Sequence, residues 1–172
     1  MLRLALLRHA KSSWDNPALD DFKRPLNDRG SASAPVMGQI LASLKFTPDA
    51  ILCSPSQRTI ETLRHIAPFL GGHELAVSCD KDLYLASPGT LLDHIRRTSP
   101  QAKSVLVVGH NPGLHTLAVK LAVSGDTGQI ARLGEKFPTS SLAVFSFLTG
   151  TWRDFAPETG NLDAFITPKD RA

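Results

Sequence analysis

The chain is 172 residues long, 42% hydrophobic and 20% charged, which suits one domain with a buried core and excludes a disordered chain. Nineteen Lys and Arg against sixteen Asp and Glu leave a charge of +3. The basic residues are scattered, with no run longer than the pairs Lys23-Arg24 and Arg96-Arg97, and only 6% of residues are aromatic, so a nucleic-acid partner is not expected. No apolar run exceeds four residues, far short of a membrane span. The apolar part of Met1–Trp14 is too short for a signal peptide and runs into Arg-His-Ala-Lys without a small-residue cleavage site. The chain therefore reads as cytoplasmic, with no membrane partner.

In chain order, Leu2–Leu7 is the first expected strand, apolar without alternation, as strands covered on both faces are. Residues 10–30 follow as a long polar loop. Within Ser31–Leu44, Val36, Met37, Ile40, Leu41 and Leu44 fall on one helical face. Ala50–Cys53 is a second strand. A helix from Pro55 carries Ile60, Leu63, Ile66 and Ala67 and stops at Gly71-Gly72. Leu75–Ser78 is a third buried strand, and Ser87-Pro88 opens a helix with Leu91, Leu92 and Ile95 inward. Ser104–Val108 is a fourth strand. Asn111-Pro112 opens a helix with Leu114, Leu117, Ala118 and Leu121, ending at Gly125. Residues 125–141 form a second long loop, Leu142–Phe145 a last strand, and the tail after Phe155 shows no pattern and is expected to pack loosely. Ser54-Pro55, Ser87-Pro88 and Asn111-Pro112 each pair a side-chain cap with a first-turn proline. The alternation predicts an α/β chain: a single domain spanning residues 1–172, a three-layer α/β/α sandwich on a mostly parallel central sheet.

Three clusters follow strand ends: Arg8-His9, Ser54-Pro55-Ser56-Gln57-Arg58, and Gly109-His110-Asn111-Pro112-Gly113. Ligands of open parallel sheets bind beyond the carboxyl ends of the strands, so the three clusters are expected to converge. Together they describe an anion pocket. Arginine forks grip phosphate oxygens bidentately, and helix amino ends add N–H groups and positive dipole. Of two histidines beside a phosphate, one neutral ring can attack phosphorus, and the other, protonated, can stabilise the oxygens in the transition state. The arginines supply the charge, so no metal and no cofactor are expected. A zinc site from His9, His110 and His115 lacks a ligand motif. His65, His73, His94 and His115, and the cysteines Cys53 and Cys79 in their apolar stretches, read as structural.

Leu7-Arg8-His9-Ala10-Lys11-Ser12-Ser13-Trp14 resembles the Arg-His signature of the histidine phosphatase superfamily, which includes the phosphoglycerate mutases. Arg-His-Ala-Lys, where the mutases read Arg-His-Gly-Glu, resembles the small phosphohistidine phosphatases of the SixA type. Arg24-Pro25-Leu26-Asn27-Asp28-Arg29-Gly30, Cys53-Ser54-Pro55-Ser56-Gln57-Arg58-Thr59, Leu83-Tyr84-Leu85-Ala86 and Val108-Gly109-His110-Asn111-Pro112-Gly113-Leu114 match further signatures, so the resemblance runs from about residue 2 to about 148. It implies the phosphoglycerate mutase-like fold, His9 as the phosphorylated nucleophile, Arg8, Arg58 and His110 around the phosphoryl group, and Ser12 and Asn111 lining the pocket. It also implies a phosphorylated protein as partner, for example a histidine phosphotransfer domain.

Two positions depart from the pattern. Asp15 stands where mutase-type members have asparagine and is expected to point away from the phosphate. The glutamate that serves the mutases as general acid has no clean equivalent, and Asp82 is the nearest candidate. A missing acid suits a P–N bond, whose imidazole leaves readily once protonated, better than an alkyl ester. The alternatives are a small-molecule phosphomonoesterase and a phosphate-binding module without turnover.

Overall fold

The computed structural model describes residues 1–71 and 74–171. Gly72 and His73, on which one expected helix stop and one structural histidine fall, lie outside the described residues. Leu2–Arg8 forms β1, every residue of it from Leu4 to Leu7 fully buried. It lies at the centre of a seven-stranded sheet ordered β3-β2-β4-β1-β6-β7-β5, with β2 at Ala50–Cys53, β3 at Val77–Cys79, β4 at Ser104–Gly109, β5 at Ala122–Gly125, β6 at Leu142–Phe147 and β7 at Gly160–Ile166. The pairs β1/β4, β2/β4, β2/β3 and β5/β7 are parallel, and β6 alone runs against its neighbours β1 and β7.

Side chains leave a strand alternately up and down, and the two faces of β1 bury different helices. Ala5 and Leu7 share a core with Met37, Ile40 and Leu41 of α1 (Asp28–Ser43) and with Leu63 and Ile66 of α2 (Gln57–Ile66). Leu2, Leu4 and Leu6 face Leu91 and Ile95 of α3 (Pro88–Arg96), Leu114, Leu117 and Leu121 of α4 (Gly113–Leu121) and Leu133 of α5 (Thr127–Glu135). This is the expected three-layer sandwich. Each buried leucine contributes about 1.5–3 kcal/mol, so the two cores hold the sheet edge that carries the site.

Several expectations change. The loop after residue 125 contains α5, whose N-cap Asp126 accepts from the Gln129 N–H at 2.9 Å. The tail after Phe155 contains β7, hydrogen-bonded on both edges. The third strand is Val77–Cys79 rather than Leu75–Ser78, and it is an exposed edge rather than a buried one; Cys79 is exposed with it. α1 starts at Asp28, capped by Asn27 through the Gly30 N–H, so the loop before it ends sooner. Of the three cap-and-proline pairs only Ser87 caps its helix, by accepting from Thr90 N–H. Among the described residues, no helix is long and apolar enough to cross a membrane.

Candidate active site

The carboxyl ends of β1, β2 and β4 lie side by side, and the three clusters that follow them meet in one cavity of about 310 Å³ lined by Arg8, His9, Ser12, Arg58, His110 and Asn111. Of the sequence-selected residues only Asp82 does not line it. Asp82 sits on an exposed turn at Lys81–Leu83, its carboxylate grouped with those of Asp80 and the His94 ring. Asp15 is exposed and outside the cavity.

His9 is fixed by its backbone before its side chain acts. Its N–H donates to Gly109 O at 3.1 Å, and its carbonyl accepts from Ser140 N–H at 3.0 Å. His9 is 6% exposed. Its Nδ1 lies 2.7 Å from Ala10 O, and its Nε2 lies 3.3 Å from Arg58 Nε. A carbonyl only accepts and a guanidinium only donates. Nδ1 therefore carries the proton and Nε2 the lone pair. Burial, then the charges of Arg58 and Arg8, hold this histidine down to about pKa 4 against the partial opposition of Ala10 O, so the ring is neutral near pH 7.

Arg58, in the first turn of α2, is 4% exposed and uses its whole fork. Besides His9 it donates from Nη1 to Asp21 O at 2.6 Å and from Nη2 to Asp21 Oδ2 at 3.0 Å, and its Nη2 lies 3.4 Å from His110 Nδ1. His110 must therefore accept at Nδ1 and donate from Nε2 to Ser54 Oγ, 2.7 Å away. Burial, His9 and Arg58 push its pKa down to about 3. The expected protonated second histidine belongs to the transition state; in the free protein His110 is neutral, because a buried site with two arginines disfavours a third cation. The rings of His9 and His110 lie 5.2 Å apart between centroids.

Two expected helix caps are absent because their side chains are engaged here. Ser54 Oγ receives His110, and Asn111 Nδ2 donates to Phe137 O at 2.8 Å. Arg8 Nη1 donates to the same carbonyl at 3.0 Å. The Nε of Arg8 and the Oδ1 of Asn111 are buried without a hydrogen-bond partner, which leaves polar capacity beside the cavity for a ligand.

Asp21 is the residue that sequence reasoning missed. It is the one carboxylate lining the cavity among the described residues. The Tyr84 hydroxyl donates to its Oδ2, and the Tyr84 ring stands edge-on to His110 at 5.4 Å. This bond and those from Arg58 draw the Asp21 pKa below the ordinary carboxylate value despite partial burial, while Tyr84 is raised by burial and by Asp21. No periodicity or cap marks Asp21, which sits in a short 3-10 turn of a long loop. Its nearness to the Arg24-Pro25-Leu26-Asn27-Asp28-Arg29-Gly30 segment was the only available signal.

The histidine phosphatase superfamily (branch 1) model matches residues 4–84. An uncharacterized protein of Mycobacterium tuberculosis strain H37Rv is 37% identical over 165 residues, which cover 95% of this chain and all of that protein. An uncharacterized chloroplastic protein of Arabidopsis thaliana is 37% identical over 178 residues, 96% of this chain and 78% of the other. Among solved structures, the provisionally named phosphohistidine phosphatase SixA of Agrobacterium tumefaciens is 31% identical, with a TM-score of 0.79 and coverage of 97% of this chain and 98% of that one. The protein histidine phosphatase SixA complexed with tungstate shares the fold, with a TM-score of 0.78, 21% identity and coverage of 99% and 100%.

Proposed function

Because the chain belongs to the histidine phosphatase superfamily, we propose that this phosphatase hydrolyses phosphohistidine on a protein, through a phosphorylated His9 and without a metal. The observation that carries the reading is the state of His9: neutral, buried, with Nδ1 engaged by Ala10 O and the Nε2 lone pair facing Arg58. A ring held in that tautomer is set up as a nucleophile. A module that only bound phosphate would not require it.

In the proposed cycle Arg8 and Arg58 take the phosphoryl oxygens, and Arg58 gives up its hydrogen bond to His9 Nε2, freeing that lone pair, together with part of its grip on Asp21. The Nε2 lone pair of His9 forms a bond to phosphorus as the bond from phosphorus to the substrate imidazole breaks. The departing nitrogen takes its proton from water. A water then attacks the phosphorus of phospho-His9, its proton passes to solvent, and phosphate and neutral His9 are regenerated. The phosphoryl dianion raises the proton affinity of His110, which favours the imidazolium beside the charged oxygens only while the ligand is bound.

The preference for a P–N bond rests on Asp21 being ionised near neutral pH. An acid that has already lost its proton does not protonate an alkoxide. The presence of Asp21 in the cavity is also the one observation that favours the phosphomonoesterase alternative. The deciding experiment compares hydrolysis of a phosphohistidine-bearing protein with that of a sugar phosphate and traps the labelled enzyme by acid-free quenching. Expected are label on His9 and a preference for phosphohistidine of about 10² or more, the usual worth of general-acid help. Equal rates on the two substrates would give the alternative precedence, and turnover by a folded His9→Ala protein would remove the nucleophile.

A further inference from the structure

His9 is a buried member of the cavity lining, so an in-line attack on a phosphorus bound there sends the leaving group away from His9 toward the exposed part of the lining. That part is built unlike the rest. Two exposed apolar side chains line it, Trp14 at 66% and Leu85 at 52% exposure, whereas His9, Arg58 and His110 in the same lining are buried. Leu85 is held there with φ of 50°, a backbone conformation that costs a branched residue energy and is retained mostly at functional positions.

Trp14 is exposed but not loose. The Arg24 guanidinium lies 3.8 Å from the centroid of its ring, covering one face. Arg24 is itself 8% exposed, and its Nε and Nη1 are buried without hydrogen-bond partners. Its nearest opposite charge is Asp21, with 3.8 Å from Nε to Oδ1. A buried guanidinium that lacks hydrogen bonds but is stacked on an indole is using the π face as its partner. Asp21 thus ties two arginines together: Arg58 on the phosphoryl side and Arg24 under Trp14. Stacked on Arg24, the indole is oriented, yet it stays largely exposed where it lines the cavity.

We propose that Trp14, backed by Arg24, is a leaving-group subsite that stacks a planar ring, the imidazole of a phosphohistidine, and so sets the substrate class of this phosphatase. The identity of the ring rests on the proposed function; the preference for a planar leaving group does not. Stacking acts on substrate and transition state alike, so it lowers KM and leaves kcat nearly untouched.

The test uses three probes on the full chain: phosphoimidazole, p-nitrophenyl phosphate and phosphoramidate. The first two carry planar leaving groups on nitrogen and oxygen, and the third releases ammonia. Trp14→Ala is expected to reduce kcat/KM for each planar probe relative to phosphoramidate by roughly threefold to tenfold, the usual range for an aromatic contact, with the change in KM. Trp14→Phe is expected to restore most of the ratio. Circular dichroism checks that each variant is folded. Equal losses on all three probes, a loss confined to kcat, or an unchanged ratio would each overturn the subsite. Failure of the wild type to cleave either P–N probe would instead sink the phosphohistidine reading, and the KM for p-nitrophenyl phosphate in the wild type, Trp14→Ala and Trp14→Phe would still score the planar-ring subsite.

Discussion

Arg58 is the side chain on which the site's geometry turns. One planar group reaches His9 Nε2, the carbonyl and carboxylate of Asp21, and His110 Nδ1. A lysine ammonium lacks the fork and the Nε–H. Arg58→Lys is therefore expected to lose roughly tenfold to a hundredfold in kcat/KM, the cost of one or two charge-assisted bonds; kinetics within a factor of two of wild type would mean the fork is not used. The acids divide the same way. Asp82→Asn is expected to leave kcat/KM on a phosphohistidine protein within about a factor of two, since Asp82 is outside the cavity. Asp21→Asn keeps an acceptor for Tyr84 but removes the charge that draws Arg58 and Arg24 together. It is expected to cost several-fold on phosphohistidine, and a loss of 10² to 10⁴ confined to alkyl phosphates would identify Asp21 as a working acid. Arg8, His9, Arg58 and His110 were legible because each follows a strand end, where the topology dictates convergence. Asp21 was not, because a loop residue placed by a single 3-10 turn carries no pattern that a sequence displays.

At the scale of elements, the cavity walls are helix amino ends pressed against loops. Gly113 opens α4, and a Cβ there would lie 1.8 Å from Ala86 O; Gly30, in the first turn of α1, would place one 2.2 Å from Lys11 O. Backbone cannot yield as a flexible side chain does. Gly113→Ala is expected to destabilise the fold by about 1–3 kcal/mol, read as a shift in urea midpoint at unchanged slope, and a midpoint equal to wild type would show that the helix start moves freely. The same elements explain what the sequence displayed and what it hid. The apolar runs of β1, β2 and β4 identified the sheet centre because both faces are covered. β7 buries Leu162 and Ala164 and exposes Asn161 and Asp163, a period of two that is visible in retrospect but is obscured by Gly160 and by the register shift at Val144/Phe145. α5 buries only Leu133 fully, and its Gly128 and Gly134 resemble loop punctuation. The caps at Ser54 and Asn111 misled because the local rule was correct and the site overrode it.

At the scale of the whole molecule, burying two neutral histidines makes folding sensitive to acid. The folded values are about 4 for His9 and about 3 for His110, each lowered first by burial, with nearby arginines adding to it. The unfolded chain titrates near 6.5. Between those values the unfolded state binds more protons than the folded one, so stability rises with pH across this window and is lost as pH falls from about 6.5 toward 4. Each histidine contributes up to about 1.4 kcal/mol per pH unit. Asp21 and Asp170, whose folded values are depressed, lose their contribution only at lower pH, below the ordinary carboxylate value. Of these four groups, only the two histidines act in the interval from pH 6.5 to 4.5. Urea unfolding across it is expected to show stability falling on acidification in the wild type and a shallower fall in His9→Gln, His110→Gln and the double variant. Saturating vanadate or phosphate, by raising the proton affinity of both rings, is expected to flatten the wild-type curve in the same interval. A wild-type curve flat from pH 6.5 to 4.5, or one that keeps its full slope in the double variant, would mean that the two rings take up protons alike in the folded and unfolded chain, and the claim that burial between arginines holds the nucleophile neutral below pH 6.5 would have to be abandoned.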